Sequence, residues 1–117
     1  MSGQRSRLAG IAAEEQAERL YRDRNGTVLD RRWSCREGEI DLVVRDGGPL
    51  VFAEVRARRS LAEAAFSLTA AKWARLKKAA LAYLAEHGLS PDSPMRFDVV
   101  LVSRMGETEL IENALPY

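Results

Sequence analysis

Charged residues recur at alternate positions inside two apolar runs joined by a tight turn, and this pairing constrains the chain more than any other feature. The runs are Glu39-Ile40-Asp41-Leu42-Val43-Val44 and Leu50-Val51-Phe52-Ala53-Glu54-Val55-Arg56, with Asp46-Gly47-Gly48-Pro49 between them. Such a pattern predicts two antiparallel β-strands in a hairpin. With Gly47 and Gly48 as the loop residues, paired positions sum to 95. Asp41 then faces Glu54 and Glu39 faces Arg56, on one side of the sheet, because side chains alternate with period two. Ile40, Leu42 and Val44 are expected on the other side, as are Val51, Ala53 and Val55. Opposed Cβ atoms lie roughly 4.5–5.5 Å apart. Two carboxylates held there repel by about 3 kcal/mol at an effective dielectric of about 20.

A carboxylate in the middle of a strand is costly to bury unless it is paired or bound to a metal. Mg²⁺ suits the pair: it takes hard oxygen ligands, commonly one or two carboxylates together with waters and phosphate oxygens. An ion of that kind polarises a phosphate and acidifies a water that attacks it. The plainer reading is a solvated hairpin face with Glu39 and Arg56 as a surface ion pair. That reading accommodates those two residues but leaves Asp41 opposite Glu54 unexplained.

The rest of the chain supplies the frame. A helical pattern runs from about Leu8 to Arg24 with Ala13, Ala17, Leu20 and Tyr21 on one face, and Asn25-Gly26 stops it. Thr27 to Ser34 reads as a strand with Val28 and Trp33 part-buried, and the hairpin strands follow at about 39–45 and 50–57. Residues 58–68 read as a loop or short helical turn. A second long helix runs from Thr69, its N-cap, to His87, with Trp73, Leu76, Ala80, Tyr83 and Leu84 as its apolar face. Arg96 to Ser103 carries the unbroken Val99-Val100-Leu101-Val102 run of a strand covered on both faces. Residues 107–112 make a last, acidic edge strand, whose other reading is a partner surface. The predicted class is α/β, a mixed sheet with helices packed on it, in one domain spanning residues 1–117.

Two further sets of residues border the hairpin. Glu14 lies one position off the apolar stripe of the first helix, so it is either a helix-surface acid or a third carboxylate for the hairpin pair. Lys72, Arg75, Lys77 and Lys78 crowd the first half of the second long helix, with no acid before Glu86. Cations there oppose the helix dipole, which points to a ligand such as phosphate as much as to a solvated basic face. Arg58 and Arg59 extend the same surface.

Charge is divided unevenly. Residues 1–85 hold 16 Lys/Arg against 11 Asp/Glu, a net of +5, and residues 86–117 hold 2 against 6, a net of −4. The half with the candidate chemistry is therefore open to a polyanion. One cysteine, Cys35, and one histidine, His87, exclude an internal disulfide and a Cys/His zinc site, and argue against a Ser-His-Asp triad. Cys35 reads as a packing or turn residue and His87 as a capping or surface residue. No apolar run reaches 18 residues, so no membrane span is expected. The polar, basic start Met1-Ser2-Gly3-Gln4-Arg5-Ser6-Arg7 has no apolar stretch after it, so no secretory signal is expected and the cytoplasm is the default location.

Asp41 followed thirteen residues later by Glu54-Val55-Arg56 resembles the PD-(D/E)xK nuclease signature of the restriction-endonuclease-like fold. The wider pattern adds Glu14 with Ala17 and Leu20, Gly38-Glu39-Ile40-Asp41-Leu42, Val51-Phe52-Ala53-Glu54-Val55-Arg56, Lys72 with Leu76, and Arg96-Phe97-Asp98-Val99-Val100. Taken in order it resembles the YraN-like family of small bacterial proteins, predicted endonucleases distantly similar to archaeal Holliday junction resolvases. The resemblance implies a core of helix, three strands, helix and strand, and a Mg²⁺- or Mn²⁺-dependent endonuclease acting on DNA, branched or structured DNA included. It implies Asp41, Glu54 and Glu14 as metal ligands, Arg56 as the fourth catalytic group, and Lys72 as a phosphate contact beside Arg75 and Arg58. Arg56 stands where the signature usually has lysine. Arginine stays protonated, so it clamps and stabilises charge but is a poor base. The competing expectation is a binding module that keeps the scaffold without cutting. A homodimer would suit a symmetric junction.

Overall fold

The computed structural model describes residues 3–114, with side chains from Ala9 onward, so the polar, basic start over residues 1–7 lies outside the described side chains. Its elements are α1 (Gly3–Asp23), β1 (Thr27–Cys35), β2 (Gly38–Arg45), β3 (Leu50–Ala57), α2 (Leu61–Phe66), α3 (Ala70–Glu86), β4 (Met95–Val102) and β5 (Thr108–Ile111). The strands form one open sheet in the order β1-β2-β3-β4-β5, in which β3 and β4 run parallel and the other neighbours antiparallel. The α/β class with a mixed sheet is thus observed. One element differs from expectation, α1 starting at Gly3 rather than near Leu8; within the 58–68 connection the short helical turn is the six-residue α2.

Each face of the sheet has its own core. On one, Ala13, Ala17 and Tyr21 of α1 cover Leu42, Val44, Val51, Ala53, Val100 and Val102. On the other, Trp73, Leu76, Ala80, Tyr83 and Leu84 of α3 cover Ile40, Val43, Phe52, Val99 and Leu101. The last four residues of β4 divide evenly between the two, which is why that part of the strand reads as an unbroken apolar run. Each fully buried Val, Leu or Phe contributes roughly 1.5–3 kcal/mol relative to exposure.

Local chemistry sets the ends of the helices. Asn25 adopts a left-handed φ of 66°, and the N–H groups of Gly26 and Asn25 bond Tyr21 and Arg22 carbonyls at 2.7 and 3.0 Å, a Schellman closure of α1. A Cβ on Gly26 would sit 2.9 Å from the Tyr21 carbonyl oxygen, so glycine is required by the close approach. Thr69 caps α3 through the Lys72 N–H, and His87 closes it with its ring stacked on Tyr83 at 3.9 Å. Cys35 packs at the edge of the α3 core.

A second polar cluster, remote in sequence, locks β5 and α1 to β4. Asp98 is fully buried, and accepts from Tyr21 Oη at 2.8 Å, from Arg96 Nε at 2.8 Å and from the Asn113 N–H at 3.0 Å. Arg96 reaches on to Asp46 at 2.7 Å, and Arg24 bridges Asp46 and Glu112. Glu112, expected within an acidic edge, is therefore an internal tie.

Candidate functional site

The hairpin register is the one the turn predicts. Leu42 pairs with Ala53, Val43 with Phe52, Val44 with Val51 and Arg45 with Leu50, each pair summing to 95. Backbone pairing between β2 and β3 ends at Leu42, one position short of Asp41. In a continued ladder the Val55 N–H would face the main chain of Ile40. It donates instead to Asp41 Oδ2 at 2.8 Å, so a carboxylate takes the place of a ladder carbonyl.

The strand on the other side is irregular at the same level. Arg32 of β1 has a left-handed φ of 46°, and the β1–β2 pairing steps from Arg31–Leu42 to Trp33–Ile40 across it. Two expectations change here. Ile40 belongs to the α3 core whereas Leu42 and Val44 belong to the α1 core, so strict alternation fails at Asp41. Glu39 is exposed opposite Ser34, and Arg56 engages Glu54 and Ser67, so the expected Glu39–Arg56 pair is not formed. The β2–β3 ladder ends where the Asp41 carboxylate competes with main chain for the Val55 N–H, while β1 stays paired with β2 through Trp33, Ser34 and Cys35.

Asp41 and Glu54 do come together. Burial, and then the Glu54 charge beside it, push the Asp41 carboxyl up to about 8, and the Val55 N–H works the other way. Glu54 is raised as well, again by burial first, with the Arg56 and Lys72 charges opposing. The two carboxyl groups act on one another, and their shared burial favours holding a proton on the pair. Arg56 Nη1 donates to Glu54 Oε2 at 3.2 Å while its Nε donates to Ser67 Oγ at 2.9 Å, both side chains being only 12% and 16% exposed.

Glu14 approaches from α1, and its charge adds to the upward push on Asp41. Its carboxylate is held at 2.5 Å by Arg32 Nε. Among the described residues no three His, Cys, Asp or Glu side chains converge closely enough to hold a metal between them. Two carboxylates are thus assembled, and the third stands beside them under an arginine. The assembled pair still fits a hard divalent cation: two adjoining oxygen donors sharing a proton that a cation would displace.

The predicted cations are spread around this pair. Lys72 is half-buried and its field reaches Glu54. Arg58 is exposed, donates to the Ala57 carbonyl at 2.6 Å, and lines with Glu14 and Val55 a hollow of about 300 Å³. Arg75 lies further off, its Cβ facing the Gly38 backbone at the start of β2. Sequence reasoning missed two participants. Ser67, in a Ser-Leu-Thr stretch that reads as a loop, fixes Arg56. Arg32 carries no local signal, because an exposed arginine in a strand does not announce a left-handed backbone.

With this geometry in hand, comparisons with known proteins place the chain. The sequence profile of the uncharacterised protein family UPF0102 matches residues 13–102, a span that includes Glu14, Asp41, Glu54, Arg56 and Lys72. UPF0102 protein SPO0400 of Ruegeria pomeroyi is 47% identical over 112 residues, covering 96% of this chain and 91% of that protein. A UPF0102 protein of Roseiflexus castenholzii is 49% identical over 105 residues, covering 88% and 84% respectively. UPF0102 protein FRAAL5785 of Frankia alni is 48% identical over 97 residues, covering 81% and 80%.

Proposed function

The chain belongs to the uncharacterised protein family UPF0102, and from that premise we propose that it is a metal-dependent endonuclease that hydrolyses phosphodiester bonds in DNA. The observation that carries the reading is the meeting of the part-buried Asp41 and Glu54 where the β2–β3 ladder ends, with the Val55 N–H holding one and Arg56 the other. The α–βββ–α–β order supports a restriction-endonuclease-like core as the scaffold, with α2 inserted and β5 appended. No described helix is long and apolar enough to cross a membrane. The reading places the protein in the cytoplasm, with a homodimer as the arrangement suited to a symmetric branched substrate.

Asp41 and Glu54 would hold Mg²⁺ or Mn²⁺, with Glu14 joining once Arg32 lets go of it. When bound, the ion supplies Lewis-acid polarisation at the phosphate and acidifies water. The chain supplies the rest. Asp41 keeps its orientation through the Val55 N–H and would meet the ion as a carboxylate, its proton passing to solvent. Arg56, anchored by Ser67 and Glu54, would use the remaining donors of its fork to stabilise the charge that develops on a phosphate oxygen. It does not act as a base, so the attacking water loses its proton without help from this residue. Lys72 adds positive potential, and Arg58 and Arg75 steady the flanking backbone as phosphate contacts.

A specific observation favours a second reading, a nucleic-acid-binding or partner-recruiting module on the same scaffold: Arg56 already partly neutralises Glu54. Cleavage of a panel of duplex, single strand, flap and four-way junction with Mg²⁺ or Mn²⁺ separates the two. Metal-dependent cutting that disappears in Glu54→Ala supports the endonuclease. Binding without cutting in either metal leaves the module.

A further inference from the structure

Phe66 is 91% exposed, while Tyr21, Phe52, Trp73 and Tyr83 are buried and Trp33 and Phe97 pack against the core. It is the one aromatic ring among the described residues given over to solvent. The ring is also firmly mounted. Ser67, the next residue, donates its hydroxyl to the Ala64 carbonyl at 2.6 Å and accepts from Arg56 Nε at 2.9 Å, and its N–H bonds the Glu63 and Ala64 carbonyls at 3.1 and 3.2 Å. A solvent-facing ring thus stands one residue from the anchor of the group assigned to the scissile phosphate. α2 docks through Ala64 and Leu61, so the ring is not needed to hold the helix in place.

The surroundings select the occupant. Arg58 is exposed after β3, Arg59 pairs with Glu63 of α2 at 3.1 Å, and Lys72 and Arg75 lie in the first turns of α3 with no acid there to match them. A lone ring in a cationic setting suits a polyanion that also carries π faces, which describes a nucleic acid. Bases within a continuous duplex are already stacked on one another. A ring beside the scissile phosphate gains a stacking partner only where a base is unpaired, at a flap, a gap or a branch point.

We infer that Phe66 is the stacking platform for an unpaired base next to the phosphate held by Arg56, and that this contact makes the protein prefer branched or gapped DNA over continuous duplex. The inference rests on the proposed nuclease reading for its polyanion, and adds to it a specificity-determining residue, Phe66, outside the carboxylate pair.

The test uses the full chain with Ca²⁺ replacing Mg²⁺ to suppress cutting. The probes are two DNAs of equal length carrying 2-aminopurine, one unpaired at a flap junction and one in continuous duplex. Wild type is expected to bind the flap about tenfold or more tightly than the duplex and to quench its fluorophore. Phe66→Ala should remove most of that ratio and the quenching while leaving duplex affinity within about twofold, and Phe66→Tyr should restore both. An unchanged ratio and unchanged quenching in Phe66→Ala overturn the inference while the nuclease reading stands. Equal weakening on both DNAs, with loss of a dimer in sedimentation velocity, also overturns it and assigns the ring to a contact between two copies. Failure of wild type to bind either DNA defeats the nuclease reading, and this inference falls with it.

Discussion

The Asp41 carboxylate accepts the Val55 N–H at 2.8 Å, a bond that ends the β2–β3 ladder and aims the aspartate at Glu54, the residue next to its donor. One interaction therefore terminates the pairing and builds the candidate site. Had the ladder continued, the Val55 N–H would be spent on main chain and the aspartate would lose its fixed orientation.

The protonated pair makes stability depend on pH in a definite sense. Asp41 in the folded chain titrates near 8, against about 3.9 when unfolded. The folded state binds the extra proton between these values, so this group's contribution is complete below about 4 and is lost as pH rises toward 8. Thermal melts of the metal-free protein should show wild type losing stability relative to Asp41→Asn from pH 5 to 9. Parallel pH profiles for the two proteins would show that the carboxyl carries no extra proton.

A divalent cation must displace that proton. Titration calorimetry of Mn²⁺ near pH 7 in buffers of different ionisation enthalpy should reveal proton release on binding. Asp41→Asn and Glu54→Gln should each weaken uptake by more than the ~10–100-fold that loss of a merely supporting contact costs. Carboxylate-independent uptake would sink the metal assignment.

Arg56→Lys tests the departure from the nuclease signature. Lysine can orient water and, with a lowered pKa, assist proton transfer, so turnover should equal or exceed wild type in single-turnover cleavage. A large loss would show that the guanidinium fork is itself required. Ser67→Ala should lower the cleavage rate roughly tenfold with little change in DNA affinity, because it frees Arg56 without removing its charge.

Arg32 holds Glu14 aside with a cation at the mouth of the site. Arg32→Ala should release Glu14 and strengthen Mn²⁺ binding several-fold in the same titration, since a nearby positive charge opposes a divalent one. Weaker binding would mean that the arginine positions Glu14 for the ion rather than withholding it.

The buried network at the opposite end is structural. Asp98→Asn weakens the buried hydrogen bonds to Arg96, Tyr21 and Asn113 while Asp46 still faces Arg96, and should cost about 1–3 kcal/mol in urea denaturation. Tyr21→Phe removes one hydrogen bond to the same carboxylate and should cost about 1 kcal/mol. A small effect of Asp98→Asn would show that the cluster is not a lock.

Alternation of apolar residues, helical spacing, caps and turn residues are local properties, and from them the sequence alone determined the elements, their order, the hairpin register and the meeting of Asp41 with Glu54. The Asp-Gly-Gly-Pro turn was enough to count the register, because side-chain direction along a strand repeats every two residues. Only the tertiary structure decided what lies one position beyond the ladder. Ile40 changes faces, Glu39 turns to solvent, Arg32 adopts a left-handed backbone, and Glu14 is taken up by that arginine. Each outcome is a competition for a hydrogen-bond or charge partner between segments far apart in the chain, such as Arg32 with Glu14 or Arg56 with Ser67. Periodicity states which way a residue points when its strand is regular; which distant group claims it is settled only when the helices close over the sheet.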